Sequence, residues 1–364
     1  MAMALGQLAL GLLLLFAGGE AFVAGASRLA LRLGIPQIVI GLTVVSLGTS
    51  APELATALVG IHKQSTPLVL GNLLGSNLFN LLVVLGACAL VVPLQVSRRL
   101  VRRDLPVLLI ATLAVWGMAA GGRLLWPAGL ALLASLAINL VWELVSALEQ
   151  KPPQGEGLPP ASSGPLPRLV PALALQAGGA AMLVAGSELL INGALTTARQ
   201  LEVDETLIGL TLVAAGTSLP ELVTSLVAAY RGHADLAIGN VVGSSLLNLL
   251  LILGVVALFS GPGGVAVPEL LLQRDLPLLV LITLICLPLL WSYATLTALD
   301  GTLLLLLYGL YLVEQVVLAK LPTALGVFRL AILAGVAPAL LAFLVWSMVG
   351  WWRVRRSSPR PRHG

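Results

Sequence analysis

A stretch of 46 residues, Gly41 to Gly86, recurs without a gap 168 positions later as Gly209 to Gly254, with 24 identities. The identities are not apolar filler. They include Gly48-Thr49-Ser50 with Gly216-Thr217-Ser218, Pro52-Glu53 with Pro220-Glu221, and Ser76 and Asn80 with Ser244 and Asn248. Gly18 and Glu20 match Gly186 and Glu188 at the same offset, so the duplication reaches upstream. Any fold for this chain must hold two copies of one unit. Oxygen-bearing residues repeated inside apolar segments suggest one ion site built from two halves.

The setting of the repeat is a membrane. The chain has 364 residues, is 58% hydrophobic and only 10% charged, and has a mean hydropathy of +1.02. That composition excludes an ordinary soluble domain and fits a polytopic helical membrane protein. Eleven apolar segments are long enough to cross a bilayer: 5–26, 36–61, 67–92, 105–121, 124–147, 169–195, 206–230, 235–259, 276–293, 300–319 and 324–350. Met1 to Phe16 has no basic n-region, so a cleaved leader is not expected and the first segment belongs to the fold.

Charge sets the expected orientation. With the N-terminus outside, 14 of the 20 Lys and Arg residues fall on the cytoplasmic side, Arg98, Arg99, Arg102 and Arg103 among them. The 14:6 bias favours N-out and C-in, because basic loops stay in the cytoplasm. It also accounts for the net charge of +4 without a nucleic-acid partner. Five spans separate the starts of the two repeats, and five is odd. The copies therefore enter the membrane in opposite directions, and sites in such inverted duplications lie near the midplane where the halves meet.

The expected layout is an N-terminal half at 1–149 with the first repeat, a Pro/Gly/Ser-rich cytoplasmic linker at 150–167, and a C-terminal half at 168–320 with the second. Residues 321–364 add a transmembrane helix and a basic tail with no counterpart in the repeat. Cys88 and Cys286 both lie in apolar runs and read as small core hydrophobes. His62, His233 and His363 fall in connections or the tail and read as solvated.

A carboxylate inside a span costs a few kcal/mol on insertion scales, so Glu53 and Glu221 call for a task. Pro52 and Pro220 lack an N–H and deprive the carbonyls of Gly48 and Gly216 of a helical partner. Oxygen freed within a membrane must be met by protein, water or an ion. Gly-Thr-Ser before Pro-Glu is thus a helix break offering carbonyl and hydroxyl oxygens beside a carboxylate. Helical spacing aligns Thr49, Glu53 and Thr56, and likewise Thr217, Glu221 and Thr224. In the following spans Asn72, Ser76 and Asn80 are four apart, as are Asn240, Ser244 and Asn248.

Every candidate ligand atom is oxygen, which suits a hard cation such as Ca²⁺ with its 6–8 oxygen ligands. Two carboxylates balance one Ca²⁺ or two Na⁺. An empty cage would leave two like charges adjacent, which favours exchange over leak. Polar glue between helices is the alternative for Ser76, Asn80, Ser244 and Asn248, and the structural reading is preferred for Thr43, Thr211 and Asn77. Glu20 and Glu188 read as interface or interhelical partners, Glu143 and Glu314 as snorkelling acids near helix ends, and Asp104, Asp275 and Asp300 as loop or helix-start acids. There is no HExxH or GxSxG and no nucleophile–base constellation, so an enzyme is not expected.

The paired G-T-S-x-P-E and G-N-x-x-G-S-x-x-x-N segments resemble the alpha-repeats of the sodium/calcium exchanger (cation/Ca²⁺ antiporter) superfamily, in its prokaryotic form. The likeness covers the first ten spans. It implies an all-α fold of two inverted five-helix repeats, here with one extra C-terminal helix, and no cofactor beyond the transported Ca²⁺ and Na⁺. It implies Glu53 and Glu221 as main Ca²⁺ ligands, with backbone oxygens at Thr49 and Thr217. Ser50, Ser76, Ser218 and Ser244 would serve flanking Na⁺ sites, and Asn80 and Asn248 the central ring. Spans 1 and 6 would be the gating pair. Asn248 stands where K⁺-using relatives carry Asp, and proton-coupled relatives differ at G-T-S-x-P-E; both departures favour Na⁺. The resulting expectation is Na⁺/Ca²⁺ antiport by a monomer in the lipid of the inner membrane. H⁺/Ca²⁺ exchange is the same-class alternative and a cation channel the different-class one.

Overall fold

The computed structural model describes residues 2–62, 66–149, 169–200, 214–292 and 295–345. The first half contains α1 (Ala2–Leu33), α2 (Gln37–Ile40), α3 (Ser46–Thr49), α4 (Ala51–His62), α5 (Thr66–Phe79), α6 (Leu85–Val91), α7 (Leu105–Ala119) and α8 (Trp126–Glu149). The second contains α9 (Val170–Gln200), α10 (Ala214–Thr217), α11 (Leu219–Tyr230), α12 (Ala234–Leu247), α13 (Leu253–Phe259), α14 (Leu276–Ser292) and α15 (Ala298–Lys320); α16 (Leu325–Ala331) follows. The linker at 150–167, Thr211 and the basic tail lie outside the described residues.

Eight helical runs among the described residues are long and apolar enough to cross a membrane; the bent pair Gln37–Thr49 and Ala51–Leu58 makes a ninth if it is one span. Of the eleven expected segments, two do not meet that test. The fourth is α7, only 15 residues long behind an Arg-rich turn. The seventh begins outside the described residues. The long runs carry apolar side chains all round, as helices buried in lipid and protein require.

Two further turns repeat. Five-residue π-helical turns join α5 to α6 (Asn80–Val84) and α12 to α13 (Asn248–Ile252), each opening on a repeated Asn. Others precede α7 (Leu100–Asp104) and α14 (Leu271–Asp275). The sequence Arg-Asp-Leu-Pro recurs there at 103–106 and 274–277, an offset of 171 rather than 168. The copies are thus longer than the 46-residue match, and a small length change hides the rest.

Short strands fix the ends of the bundle. β1 (Leu94–Gln95) pairs antiparallel with β4 (Thr295–Leu296), and β2 (Arg123–Leu124) with β3 (Val265–Ala266). The connection after α6 therefore shares one end with that before α15, and the α7–α8 turn shares the other end with the connection after α13. The core centres on α5, α6, α12 and α13; every residue from Leu236 to Leu250 is buried.

Helices α1 and α9 pack against each other along their length and run antiparallel. Glycines recur every seventh residue at Gly11, Gly18 and Gly25 on one helix and at Gly179, Gly186 and Gly193 on the other. A Cβ placed at Gly179 would fall 2.5 Å from the Phe22 nitrogen and 2.8 Å from the Gly18 carbonyl; one at Gly25 would fall 2.8 Å from the Ala172 carbonyl. Small residues are what let membrane helices approach this closely.

Several charged side chains depart from expectation. Glu143 does not snorkel: it is 2% exposed, with Arg99 Nη2 on one carboxylate oxygen and Arg103 Nη2 3.1 Å from the other. A carboxylate this enclosed persists only when paired. Asp104 and Asp275 stand at the starts of α7 and α14, the helix-start alternative of the sequence reading, and are buried in their π turns. Arg274 bonds Asp275 (2.9 Å) and Gln315 (3.1 Å), and Arg329 of α16 reaches Glu314 (2.8 Å). Asp300 caps α15 through a reciprocal bond with Thr297. Glu20 pairs across helices with Arg231, and His233, half-buried rather than solvated, lies 3.1 Å from Gln37. Cys88 and Cys286 are both buried and free.

Candidate cation site

The site begins at two matching backbone breaks. The helices at Gln37–Thr49 and Ala51–Leu58 meet at a 43° bend. Ser50 sits at the break with φ −85° and ψ 4°, and Ser218 repeats it with φ −95° and ψ 9°. This is the sparsely populated bridge region, adopted by many active-site residues. Pro52 and Pro220 follow, and the chain starts a fresh helix each time. Glu53 and Glu221 thereby fall in the first turn of α4 and α11, where the helix dipole favours negative charge.

Burial is nearly complete. Thr49, Ser50, Glu53, Ser76, Asn80, Ser218, Glu221, Ser244 and Asn248 are all buried, and Thr217 is half-buried. All ten stand in α3 to α5, in α10 to α12, or at the π turns that follow.

The contacts cross between the halves. Ser50 Oγ donates to Glu221 Oε1 at 3.2 Å. Thr49 Oγ1 donates to Asn240 Oδ1 at 3.2 Å and lies 3.4 Å from Ser244 Oγ. Ser218 Oγ donates to Ser76 Oγ at 3.0 Å, and Thr217 Oγ1 donates to Asn72 Oδ1 at 3.2 Å. Ser218 also lies beside Glu53, and the two carboxylates are near enough to interact electrostatically.

Residues outside the expected set complete the network. Asn240 Nδ2 donates to Ser225 Oγ at 3.0 Å, and Ser46 Oγ donates to the Asn240 carbonyl at 3.2 Å. Asn72 and Asn240 share the four-residue spacing with the Ser and Asn ligand candidates, so a signal for them existed. Ser225 and Ser46 had none: their repeat partners are Ala57 and Ala214. Thr43 bonds its own helix at Val39, as the structural reading has it. Asn77 is fully buried and neither side-chain atom has a partner.

Close approach holds the halves in register. A Cβ at Gly41 would fall 2.8 Å from the Leu236 carbonyl, one at Gly239 2.8 Å from the Ile38 carbonyl, and one at Gly243 2.6 Å from the Leu42 carbonyl. The α2–α3 segment thus lies directly on the backbone of α12, which brings Thr49 to Asn240 and Ser244.

Buried polar atoms without partners gather at this place. Both oxygens of Glu53, Oε2 of Glu221, the side-chain amide of Asn80, Oδ1 of Asn248 and Oγ1 of Thr224 are enclosed and unsatisfied. Native structures leave few such groups, because each forfeits its hydration. No cluster of three or more His, Cys, Asp or Glu occurs among the described residues. The donor set is two carboxylates with hydroxyl and amide oxygens, which suits hard cations rather than zinc or a redox metal.

Comparisons with known proteins identify the family and the fold. The sodium/calcium exchanger protein family matches residues 3–145 and 171–317. The inner membrane protein YrbG of Escherichia coli is 34% identical over 295 residues, covering 80% of this chain and 90% of that one. The sodium/calcium exchanger MaX1 of Methanosarcina acetivorans is 30% identical over 340 residues, covering 84% and 96%. The putative antiporter CaxA of Alkalimonas amylolytica is 38% identical over 248 residues, covering 67% and 77%. A solved structure of the sodium–calcium exchanger NCX_Mj superposes with a TM-score of 0.71 at 31% identity, over 84% of this chain and 97% of that one. The chain is a multi-pass membrane protein of the cation/Ca²⁺ exchanger class. It belongs to the sodium/calcium exchanger family, whose members are transporters rather than enzymes.

Proposed function

We propose that this protein is a secondary antiporter exchanging Na⁺ for Ca²⁺ by alternating access. The observation that carries the reading is the pairing of Glu53 and Glu221, one from each half, in a buried polar cage where both oxygens of Glu53, Oε2 of Glu221, the Asn80 amide and Oδ1 of Asn248 lack protein partners. Glu53, Glu221 and the Thr49 and Thr217 region hold Ca²⁺. Ser50, Ser76, Ser218 and Ser244 serve Na⁺, with Asn80 and Asn248 in the central ring. One divalent ion or two monovalent ions neutralise the two carboxylates equally, so each load displaces the other. An empty cage sets two carboxylates against each other in a dry site, which disfavours a leak cycle.

Inverted repeats at 1–149 and 168–320 are supported by three features: the antiparallel α1–α9 packing, the strand pairs at the two ends, and the matched breaks at Ser50 and Ser218. The reading places ten spans in the repeats and an eleventh after them, with the N-terminus outside, in the inner membrane. An asymmetry supports alternating access. Thr56 and Thr224 are equivalent by sequence, yet Thr56 is exposed and Thr224 is buried. On the closed side, α1 packs on α11 and Glu20 is paired with Arg231.

Coupling to Na⁺ draws support from the named function of MaX1 and NCX_Mj. Calcium uptake into proteoliposomes tests it directly. With pH clamped on both sides, an internal Na⁺ load should drive ⁴⁵Ca²⁺ uptake. Uptake driven only by a pH gradient points to proton exchange, and Ca²⁺ entry without any counter-ion points to a channel.

A further inference from the structure

Arg98, Arg99, Arg102 and Arg103 crowd the first turns of the helix that leads through the Leu100–Asp104 π turn into α7. Ser97 caps it, its Oγ accepting from Leu100 N at 3.3 Å. A helix start favours negative charge, so four guanidinium groups there are unfavourably placed unless an anion joins them. Protein supplies part of the answer. Glu143 of α8 takes Arg99 and Arg103, and Asp104 is buried alongside. Four positive and two negative side chains leave an excess of positive charge.

The pairing also leaves donors unused. Arg99 and Arg103 are only 14% and 12% exposed, yet Nε and Nη1 of Arg99 and Nε of Arg103 are enclosed without partners. The Arg103 guanidinium lies 4.1 Å above the Trp142 ring, and its Nη1 is 3.4 Å from Ser146 Oγ. The equivalent turn of the second half shows that the fold does not need this cluster. Glu269, Leu270 and Gln273 stand there in place of Arg98, Arg99 and Arg102, and Gln315 meets Arg274 as Glu143 meets Arg103. The excess charge belongs to one end of one half.

We propose that this cluster is a binding site for the phosphate of an anionic phospholipid. Guanidinium groups match phosphate oxygens in geometry and charge. A lipid is favoured over a soluble anion because the α8 face running from the cluster is apolar and open: Ile138, Val141, Trp142 and Val145 are all exposed. The headgroup phosphate meets the exposed Arg98 and Arg102, with Arg99 and Arg103 adding positive charge behind them, and the acyl chains lie along α8.

The test uses the full-length purified protein in a neutral detergent, titrated separately with phosphatidylglycerol and phosphatidylcholine. Bound lipid is read by native mass spectrometry and melting temperature by intrinsic fluorescence. Phosphatidylglycerol should bind and raise the melting temperature; phosphatidylcholine should not. Arg98→Gln/Arg102→Gln removes two exposed charges and should weaken phosphatidylglycerol about thirtyfold, from about 1 kcal/mol per basic residue. Arg98→Lys/Arg102→Lys keeps the charges and should stay within a few fold of wild type. Equal binding of both lipids, or an unchanged affinity in the Gln variant, would overturn the proposal. So would inorganic phosphate at millimolar concentration reproducing the stabilisation, since that assigns the site to a free anion.

Discussion

Ser50 Oγ donates to Glu221 Oε1 across the two halves at 3.2 Å, whereas its repeat counterpart Ser218 donates to Ser76 Oγ at 3.0 Å instead of to Glu53. The two breaks share Gly-Thr-Ser-x-Pro-Glu and differ only at Ala51 and Leu219, yet the two carboxylates are held differently. Glu221 Oε1 accepts directly from Ser50, whereas Ser218, although beside Glu53, gives its proton to Ser76. Ser50→Ala should therefore disturb the site more than Ser218→Ala. A hydrogen bond to a charged group is worth about 1.5–3 kcal/mol. Ser50→Ala is expected to weaken Ca²⁺ by tenfold or more, and Ser218→Ala by a few fold. Titrating ⁴⁵Ca²⁺ uptake against external Ca²⁺ for both variants checks the order.

The glycine ridge between α1 and α9 predicts a sharp contrast between neighbours. A Cβ at Gly179 meets the backbone of Phe22 and Gly18, while one at Gly178 meets nothing within 4 Å. Gly179→Val should lower the melting temperature and abolish exchange. Gly178→Ala should match wild type in both, apart from a small gain in helix propensity. Similar losses in the two variants would mean that the helices do not meet along this ridge.

The buried network of Arg99, Arg103 and Glu143 has its own control in the second half, where Leu270 and Gln315 occupy the places of Arg99 and Glu143. Removing one member of a buried ion pair costs about 3–5 kcal/mol, because the other charge stays behind. Glu143→Gln alone should therefore be strongly destabilising. Arg99→Leu/Glu143→Gln reproduces the arrangement already tolerated around Arg274 and should recover most of the loss. Thermal unfolding of the two single variants and the double gives the coupling.

How much of this was legible follows from what kind of signal each feature leaves. Glu53 and Glu221 stood out because a carboxylate in an apolar run is rare and this one occurs twice. Pro52 placed the bend at Ser50, since a missing N–H leaves a local mark in the sequence. Asn240 was visible by spacing, but its role depends on α2–α3 lying against α12, a contact set by Gly41, Gly239 and Gly243 in three dimensions. Glu143 was misjudged for a similar reason: nearness to a helix end suggests snorkelling, and only the fold brings Arg99 and Arg103 across from the other element. The difference between Thr56 and Thr224 leaves no trace in the sequence, because the two positions are identical in kind. A conformational state is not encoded residue by residue.

That state predicts an effect of the Glu20–Arg231 pair. Both side chains are partly exposed, at 27% and 56%, so the pair is weak by the standard of buried ones. A small bias still matters where two conformations are nearly balanced. Glu20→Gln should open the α11 end more often, seen as faster labelling of a cysteine placed at Thr224. The effect should fade as salt is raised, since screening weakens the wild-type pair too. Equal labelling of Glu20→Gln and its parent at low salt would remove the pair from any role in closure.

The central claim is that one ion is held jointly by Glu53 and Glu221. Equilibrium ⁴⁵Ca²⁺ binding to purified wild type, Glu53→Gln and Glu221→Gln, with Na⁺ as competitor, measures it most directly. Saturable binding displaced by Na⁺ in wild type, and lost in each variant while the protein stays folded, is the predicted result. Binding that persists in both variants at near wild-type affinity would contradict it.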